Sequence, residues 1–185
     1  MPNDYDDSRL ANIRLEYSSL VARNSETITR RDEIIKTTLT LVSAMLVAAI
    51  AYPTTPSVAL IYPPIAAFLA MEWTHSYIIN ILIACYIRDH IAPQMPGIGW
   101  ENHLKNWRDQ HQGSLRVFAI HSGIFFFTQL LAVFIGLTIK PVSFASCSFI
   151  MLLFIDVLAI LVTIFFFAQA TYDKTIIAIK NNTAS

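Results

Sequence analysis

Apolar residues are concentrated in four long segments separated by shorter polar ones. The segments are Ile34–Tyr52, Ile61–Ile87, Val117–Ile139 and Phe144–Thr171, and each is close to the roughly 20 residues that a helix needs to cross a bilayer. The first two segments, like the last two, are joined by a short linker containing proline, where a helix stops. The pattern predicts an all-α membrane protein with four transmembrane helices in two hairpins.

The spans divide the chain into an N-terminal segment, a first hairpin, a middle loop, a second hairpin and a tail, at 1–33, 34–87, 88–116, 117–171 and 172–185. In the N-terminal segment, Leu10, Ile13, Tyr17 and Leu20 recur at helical spacing between Ser8 and Arg31. This spacing predicts an amphipathic cytoplasmic helix that can continue into the first span. Its apolar stripe needs a partner, either the middle loop or copies of itself in an oligomer.

The middle loop begins with a proline- and glycine-rich stretch, Ala92–Gly99, for which we expect irregular structure. After it, Trp100, Leu104, Trp107 and His111 recur at helical spacing and predict a short amphipathic helix. This helix could lie at the membrane interface, where tryptophan is enriched. The alternative is a lid that faces a ligand.

Composition and charge support a membrane protein. The 185 residues are 55% hydrophobic and 14% charged, which excludes an ordinary soluble enzyme and a disordered tail. Twelve of the 13 basic residues flank the spans on one side, with Lys140 as the exception, so the positive-inside rule predicts that both termini are cytoplasmic. The N-terminal segment lacks the apolar core of a signal peptide, so we expect insertion through the internal spans.

Two acids fall inside the spans, Glu72 near the middle of the second and Asp156 near the middle of the fourth. A charged, unpaired acid at the centre of a membrane helix costs about 2.5 to 3.5 kcal/mol, and we expect no Lys or Arg at that depth to pair with either. His75 shares a helical face with Glu72, and Gln129 lies near the midpoint of the third span. These four residues predict one polar layer through the bundle.

This polar layer has three possible roles. Its members could hydrogen-bond to one another and only hold the helices together. In an oligomer, one carboxylate per subunit could instead face a common axis and form the acidic ring of a cation-permeable pore. Glu72 could also be the proton site of a small transporter, although a single four-span chain has no inverted repeat.

Signatures of enzymes are missing from the sequence. It contains no G-x-S-x-G, no H-E-x-x-H, no glycine-rich phosphate loop and no CxxC pair. The five histidines are scattered, without an i, i+4 pair. We therefore expect no catalytic activity, no metal and no cofactor.

Basic residues near the predicted cytoplasmic side could form a ligand site in an oligomer. Guanidinium groups bind phosphates and aromatic rings stack on bases, a chemistry suited to nucleotides or short single strands. The candidates are Arg14, Arg23, Arg30, Arg31, Arg88, Lys105, Trp107 and Arg108. The alternative is a solvated, salt-bridged face that meets lipid headgroups, since acids are interspersed with these arginines.

The layout resembles that of small bacterial four-span membrane effectors of anti-phage systems, most of all the transmembrane effectors of the Hailong defence system. The resemblance covers an amphipathic N-terminal helix, a first hairpin, a proline- and glycine-rich turn and a second hairpin. The residues that carry it close the second span and follow the turn, at Tyr86, Ile87, Arg88, Gly97, Ile98, Gly99, Trp100 and Glu101.

This resemblance implies a homo-oligomer, with a tetramer as the expected number, in the bacterial inner membrane. It also implies a partner nucleotidyltransferase that makes a short single-stranded oligodeoxyadenylate, which holds the channel shut. Loss of that strand on infection would open the pore, depolarise the membrane and halt growth of the host. Effectors that a cyclic nucleotide opens would share the layout, and a small proton-coupled transporter or a non-conducting scaffold for a cytoplasmic partner are the competing classes.

Overall fold

The structure, a computed structural model, describes residues 4–52, 56–95, 113–138 and 147–183. Four α-helices dominate this part of the chain, and it contains no β-strand: α1 Asp4–Ala51, α2 Tyr62–Tyr86, α3 Gly113–Thr138 and α4 Cys147–Thr183. Four helical segments are long and apolar enough to cross a membrane. The all-helical fold of the described residues is therefore confirmed, as is the presence of four helices that are long and apolar enough to cross a membrane.

Most of the apolar surface of these helices faces outward. Within the most apolar window of each span, only 22% to 33% of the residues are buried by the rest of the chain. A water-soluble bundle would bury that surface, whereas a lipid-facing helix exposes it. The two interhelical linkers and the predicted short helix of the middle loop lie outside the described residues, at 53–55, 139–146 and 96–112.

The N-terminal helix and the first span form one continuous helix, α1, of 48 residues. Its sequence contains neither proline nor glycine, so nothing interrupts the hydrogen-bond ladder between its charged half and the apolar half that begins at Ile34. The helix begins at Asp4 rather than at Ser8. Leu10, Ile13 and Tyr17 are half-buried, while most residues between them are exposed.

Helix α2 is preceded by a 3₁₀ turn, Pro56–Ile61. It has prolines in its first turn, where backbone N–H groups have no partner within the helix, so that proline costs no hydrogen bond there. After Tyr86 the chain continues as a π-helical turn, Ile87–Ile91, and a 3₁₀ turn, Ala92–Gln94. Helical structure therefore continues past residue 88, and the first three residues of the stretch Ala92–Gly99, expected to be irregular, form a 3₁₀ turn. Ile87 and Ile91 are buried, which explains why helical structure persists.

Helices α1 and α2 pack antiparallel along most of their length. Arg9 Nη2 donates to Gln94 Oε1 at 2.9 Å, and the Tyr86 hydroxyl donates to Glu16 Oε1 at 2.7 Å. Further along, Val42 of α1 packs in one apolar cluster with Tyr62 of α2. The charged half of α1 therefore lies beside the second half of α2, and we refer to this end of the bundle as the polar end.

Helix α4 packs into the bundle through a single stripe. Its buried residues recur at intervals of three, four or seven: Phe149, Asp156, Ala159, Thr163, Phe167 and Ala170. The opposite face carries large exposed apolar side chains, among them Phe154, Leu161 and Phe165. Small residues in the buried stripe allow close approach of neighbouring helices, as is usual in membrane bundles.

Candidate functional site

An aromatic cluster around Trp73 joins all four helices near the polar end. The Trp73 ring stacks on Tyr77 with centroids 5.4 Å apart and on His121 of α3 at 5.2 Å, and it packs against Phe167 of α4 at 5.9 Å. From α1, the Arg31 guanidinium lies 5.5 Å from the Trp73 centroid. Arg31 Nε and Trp73 Nε1 are buried and have no hydrogen-bond partner among the described residues.

An ion pair lies directly beside this cluster. Arg30 Nη2 of α1 and Glu72 Oε1 of α2 are 2.5 Å apart, and about a third of the Glu72 side chain is exposed. The expectation that no basic residue shares the depth of Glu72 is therefore wrong. It failed because the antiparallel register of α1 and α2 brings the charged end of α1 level with Glu72.

The depth of this ion pair follows from the Trp73 contacts. Phe167 is four residues before Thr171, where the fourth apolar segment of the sequence ends, and His121 is four residues after Val117, where the third segment begins. At about 1.5 Å per residue, the ion pair lies roughly 5 to 8 Å inside the apolar limits of α3 and α4. It is therefore near the edge of the apolar slab and not at its centre.

A groove of about 320 Å³ opens between α1 and α2 next to the ion pair. Its lining comes from one face of each helix: Arg23, Glu26, Thr27, Arg30, Glu72, His75, Ser76 and Ile79. His75 is exposed and Ser76 is buried. The predicted association of Glu72 with His75 thus corresponds to a shared groove.

Asp156 occupies a different environment from Glu72. Its side chain is on the inner stripe of α4, only 1% exposed, and neither carboxylate oxygen has a hydrogen-bond partner among the described residues. Phe167, which packs against Trp73, is 11 residues further along α4, so Asp156 and Glu72 are separated by roughly 16 Å along the bundle. The two acids do not form one layer.

Gln129 lies between them in depth. It is fully buried, and its Nε2 donates to Thr163 Oγ1 of α4 at 2.9 Å. The Thr163 hydroxyl donates in turn to the Ala159 carbonyl, while Gln129 Oε1 has no partner in the described part of the chain. Nearby in sequence, Thr128 Oγ1 accepts a bond from the Tyr62 hydroxyl at 2.8 Å. Gln129 therefore connects α3 and α4, and Asp156 is not its hydrogen-bond partner.

The candidate ligand residues are distributed over several surfaces. Arg88 pairs with its neighbour Asp89, with Nε and Oδ1 2.6 Å apart, and Arg14 is exposed on α1. Arg23 and Arg30 line the groove, and Arg31 rests on the aromatic cluster. Within one described chain they do not form a single basic surface. Lys105, Trp107 and Arg108 lie outside the described residues.

Sequence reasoning did not identify the aromatic cluster or the inward position of Asp156. The inner stripe of α4 could have been predicted from the sequence. Asp156, Ala159 and Thr163 are small or polar residues in a helix of mostly bulky ones, and their spacing of three and four places them on one face. The sequence contains no such signal for Trp73, since apolar residues occur on every face of α2 and no period distinguishes its inner side.

No group of three or more metal-ligating side chains occurs in the described part of the chain. The chain matches no family model, no curated protein and no solved structure. The function proposed below is therefore argued from the chain itself and from the resemblance in layout.

Proposed function

We propose that the protein is an ion-conducting membrane protein that assembles as a homo-oligomer, with a tetramer as the working number. It has two helical hairpins, spans the bacterial inner membrane and keeps both termini in the cytoplasm. One observation carries this proposal: Asp156 is buried within an apolar helix, and neither of its carboxylate oxygens has a hydrogen-bond partner in the part of the chain that the structure describes. An acid that only held helices together would be hydrogen-bonded, whereas ionisable residues at such positions mark ion pathways.

The buried position of Asp156 supports a closed state in this conformation. A charged carboxylate needs water or a cation, and the inner stripe of α4 offers neither. Conduction therefore requires α4 to rotate or shift so that Asp156 reaches an axis shared by several subunits, where an acidic ring favours cations. Glu72, near the polar end and partly exposed, would then line the mouth of that pathway.

Control from the cytoplasm is supported by the continuity of α1. Arg30 and Arg31 contact Glu72 and Trp73 of α2, so a force on the charged half of α1 acts directly on the bundle. A nucleotide or a short oligodeoxyadenylate from a partner nucleotidyltransferase would supply that force. We assign the first contacts of the signal to the exposed Arg14 and to the middle-loop residues Lys105, Trp107 and Arg108.

The biological role in this proposal is that of an anti-phage effector. Opening of the pore on infection would depolarise the inner membrane and stop growth of the host before the phage is released. The layout that the chain shares with such effectors is what supports this role. Expression of the protein without its partner gene, followed by a dye for membrane potential, tests it in cells.

Ion flux from liposomes tests conduction directly. Purified protein is reconstituted, and release of K⁺ and Na⁺ is compared for the wild type, Asp156→Asn, Glu72→Gln and the control Thr138→Val, which alters an exposed position at the end of α3. We expect Asp156→Asn to reduce flux at least about tenfold and Thr138→Val to leave it unchanged. Wild-type flux in Asp156→Asn would contradict the role given to this acid.

The same preparation separates the competing classes. Substrate-dependent proton uptake that Glu72→Gln abolishes would indicate a transporter, and neither flux nor uptake would indicate a scaffold. Mass spectrometry of nucleic acid that co-purifies with the detergent-solubilised protein tests the signal. A preparation that contains no nucleotide and ignores added oligodeoxyadenylate would contradict nucleotide gating and leave conduction as a separate question.

A further inference from the structure

The groove between α1 and α2 has a regular arrangement of charges. On α1, Arg23, Glu26, Thr27 and Arg30 follow the spacing i, i+3, i+4, i+7, which places them on one helical face. On α2, the spacing recurs at Glu72, His75, Ser76 and Ile79. Two guanidinium groups and two carboxylates therefore face one space, together with an imidazole and two hydroxyl groups.

The groove crosses from the apolar slab into the depth of lipid headgroups. Its inner end is the Arg30–Glu72 ion pair, roughly 5 to 8 Å inside the apolar limits of α3 and α4, and it extends seven residues along α1, or roughly 10 Å, toward the polar end. Its outer end therefore reaches the interfacial layer, which is about 5 to 8 Å thick on each side of a bilayer. At this depth α1 carries charged residues whereas α3 and α4 are apolar, so a polar groove lies beside apolar helices.

Charge balance defines the ligand that fits. Apart from the imidazole, the groove carries two positive and two negative side chains, so a purely anionic group would meet two carboxylates as well as two arginines. A zwitterion with a phosphate and an ammonium group satisfies both kinds of side chain. The ammonium should carry N–H donors, because no Trp, Tyr or Phe is among the described residues that line the groove, and a quaternary ammonium is recognised by such rings rather than by hydrogen bonds.

We propose that this groove binds the headgroup of a phospholipid that has a phosphate and a primary ammonium group, the chemistry of phosphatidylethanolamine. The phosphate contacts Arg23 and Arg30, and the ammonium contacts Glu26 and Glu72. The acyl chains extend along the exposed apolar surface of α2, where Phe68 and Met71 face outward. The Arg30–Glu72 pair holds the two charges in place before the lipid binds.

This proposal does not depend on conduction, and it separates the groove from the nucleotide signal. A nucleotide base stacks best on a large aromatic ring, and the two nearest ones, Trp73 and Tyr77, are buried in the aromatic cluster, so the groove offers only the imidazole of His75. A lipid needs only the polar groups and an apolar path. Binding of a short oligodeoxyadenylate in the groove is therefore the competing result that the experiment must be able to detect.

Lipid retention tests the proposal. The protein is purified in detergent, exchanged into equal amounts of phosphatidylethanolamine, phosphatidylglycerol and phosphatidylcholine, washed, and analysed by native mass spectrometry. We expect the wild type to retain phosphatidylethanolamine about fivefold over either other lipid, the factor expected for one partly exposed ion pair. Arg23→Gln and Glu26→Gln should each reduce that preference, while Arg14→Gln, on the same helix outside the groove, should preserve it.

Three results would overturn the proposal. The first is equal retention of all three lipids, and the second is preference for phosphatidylglycerol, which would identify a simple anion site. The third is loss of the bound lipid on addition of either soluble phosphoethanolamine or an oligodeoxyadenylate at micromolar concentration, which would assign the groove to a soluble ligand. Because Arg23 and Glu26 are on the exposed part of α1, both variants are expected to fold.

Discussion

The Arg31 guanidinium of α1 lies 5.5 Å from the centroid of Trp73 and 5.7 Å from that of Tyr77, so one cation rests on two stacked rings of α2. A cation over an aromatic face contributes about 0.5 to 1 kcal/mol when exposed and about 2 kcal/mol when desolvated. Since Arg31 is half-buried, this contact helps to fix α1 on the bundle at the point where its charged half ends.

Replacing Arg31 by methionine should therefore lower the free energy of unfolding by about 1 to 2 kcal/mol. Methionine keeps much of the apolar stem and removes the cation. Unfolding in mixed detergent and SDS micelles, followed by tryptophan fluorescence, measures the change, and Arg14→Met on the exposed face of α1 is the control. Equal effects of the two substitutions would show that the rings do not hold Arg31.

Gly136 of α3 is required by its contact with Leu60. A Cβ atom at residue 136 would lie 2.6 Å from Leu60 Cδ2 and 2.8 Å from its Cγ, and Leu60 is fully buried. Gly136→Ala should therefore destabilise the protein by about 1 to 3 kcal/mol, the usual range for overpacking. Leu60→Ala, which removes those atoms, should cancel much of this specific penalty when the two are combined.

Gly123 provides the matched control for this experiment. It is on the same helix, and a Cβ atom there would meet nothing within 4 Å. Gly123→Ala should be neutral or stabilising by up to about 1 kcal/mol, because alanine favours helices. A loss of stability at both glycines, measured in the same micelles, would contradict the steric explanation.

Replacing Asp156 by leucine should stabilise the protein and abolish its ion flux. Burying polar oxygens without partners costs about 1 to 3 kcal/mol, and leucine removes that cost on the inner stripe of α4. Asp156→Asn keeps unpaired polar atoms, so its unfolding free energy should stay closer to that of the wild type. If leucine instead lowered the unfolding free energy, Asp156 would have a stabilising partner, and its assignment to conduction would lose its basis.

The bond between Gln129 and Thr163 should be worth little by itself. Interhelical hydrogen bonds in membrane proteins average about 0.6 kcal/mol, so a double-mutant cycle of Gln129→Leu and Thr163→Val should yield a coupling energy near that value. The separate substitutions also change packing, which the cycle removes. A coupling energy above about 2 kcal/mol would indicate that the bond belongs to a larger network.

The sequence was sufficient for the four spans and for the helical class, because a stretch of about 20 apolar residues has few other structures available to it. The first linker, with Pro53 and Pro56, also predicted that α1 ends near Tyr52 and that α2 begins near Ile61, because proline interrupts helices. The pattern did not predict that α2 continues as helical turns to Gln94. That extension depends on the burial of Ile87 and Ile91, a tertiary effect.

The candidate site was less predictable than the fold. The sequence predicted the same depth for Glu72 and Asp156, because each apolar segment, considered alone, indicates its own midpoint as the centre of the membrane. In the structure, α1 is displaced along the bundle relative to α3 and α4, so that Arg30 is level with Glu72. Asp156 is separated from Glu72 by roughly 16 Å along the bundle. Helix register is a property of packing, and no pattern within one helix records it.

The unbroken course of α1 has a mechanical consequence. Forty-eight residues at about 1.5 Å each make a stiff lever of roughly 72 Å, of which the charged arm accounts for more than half. A tilt of about 10° around Ile34 would carry the far tip at Asp4 through roughly 8 Å. The same rotation would move Arg30 and Arg31, next to that pivot, by only about an ångström, so a large swing of the charged arm becomes a small displacement at the Arg30–Glu72 pair.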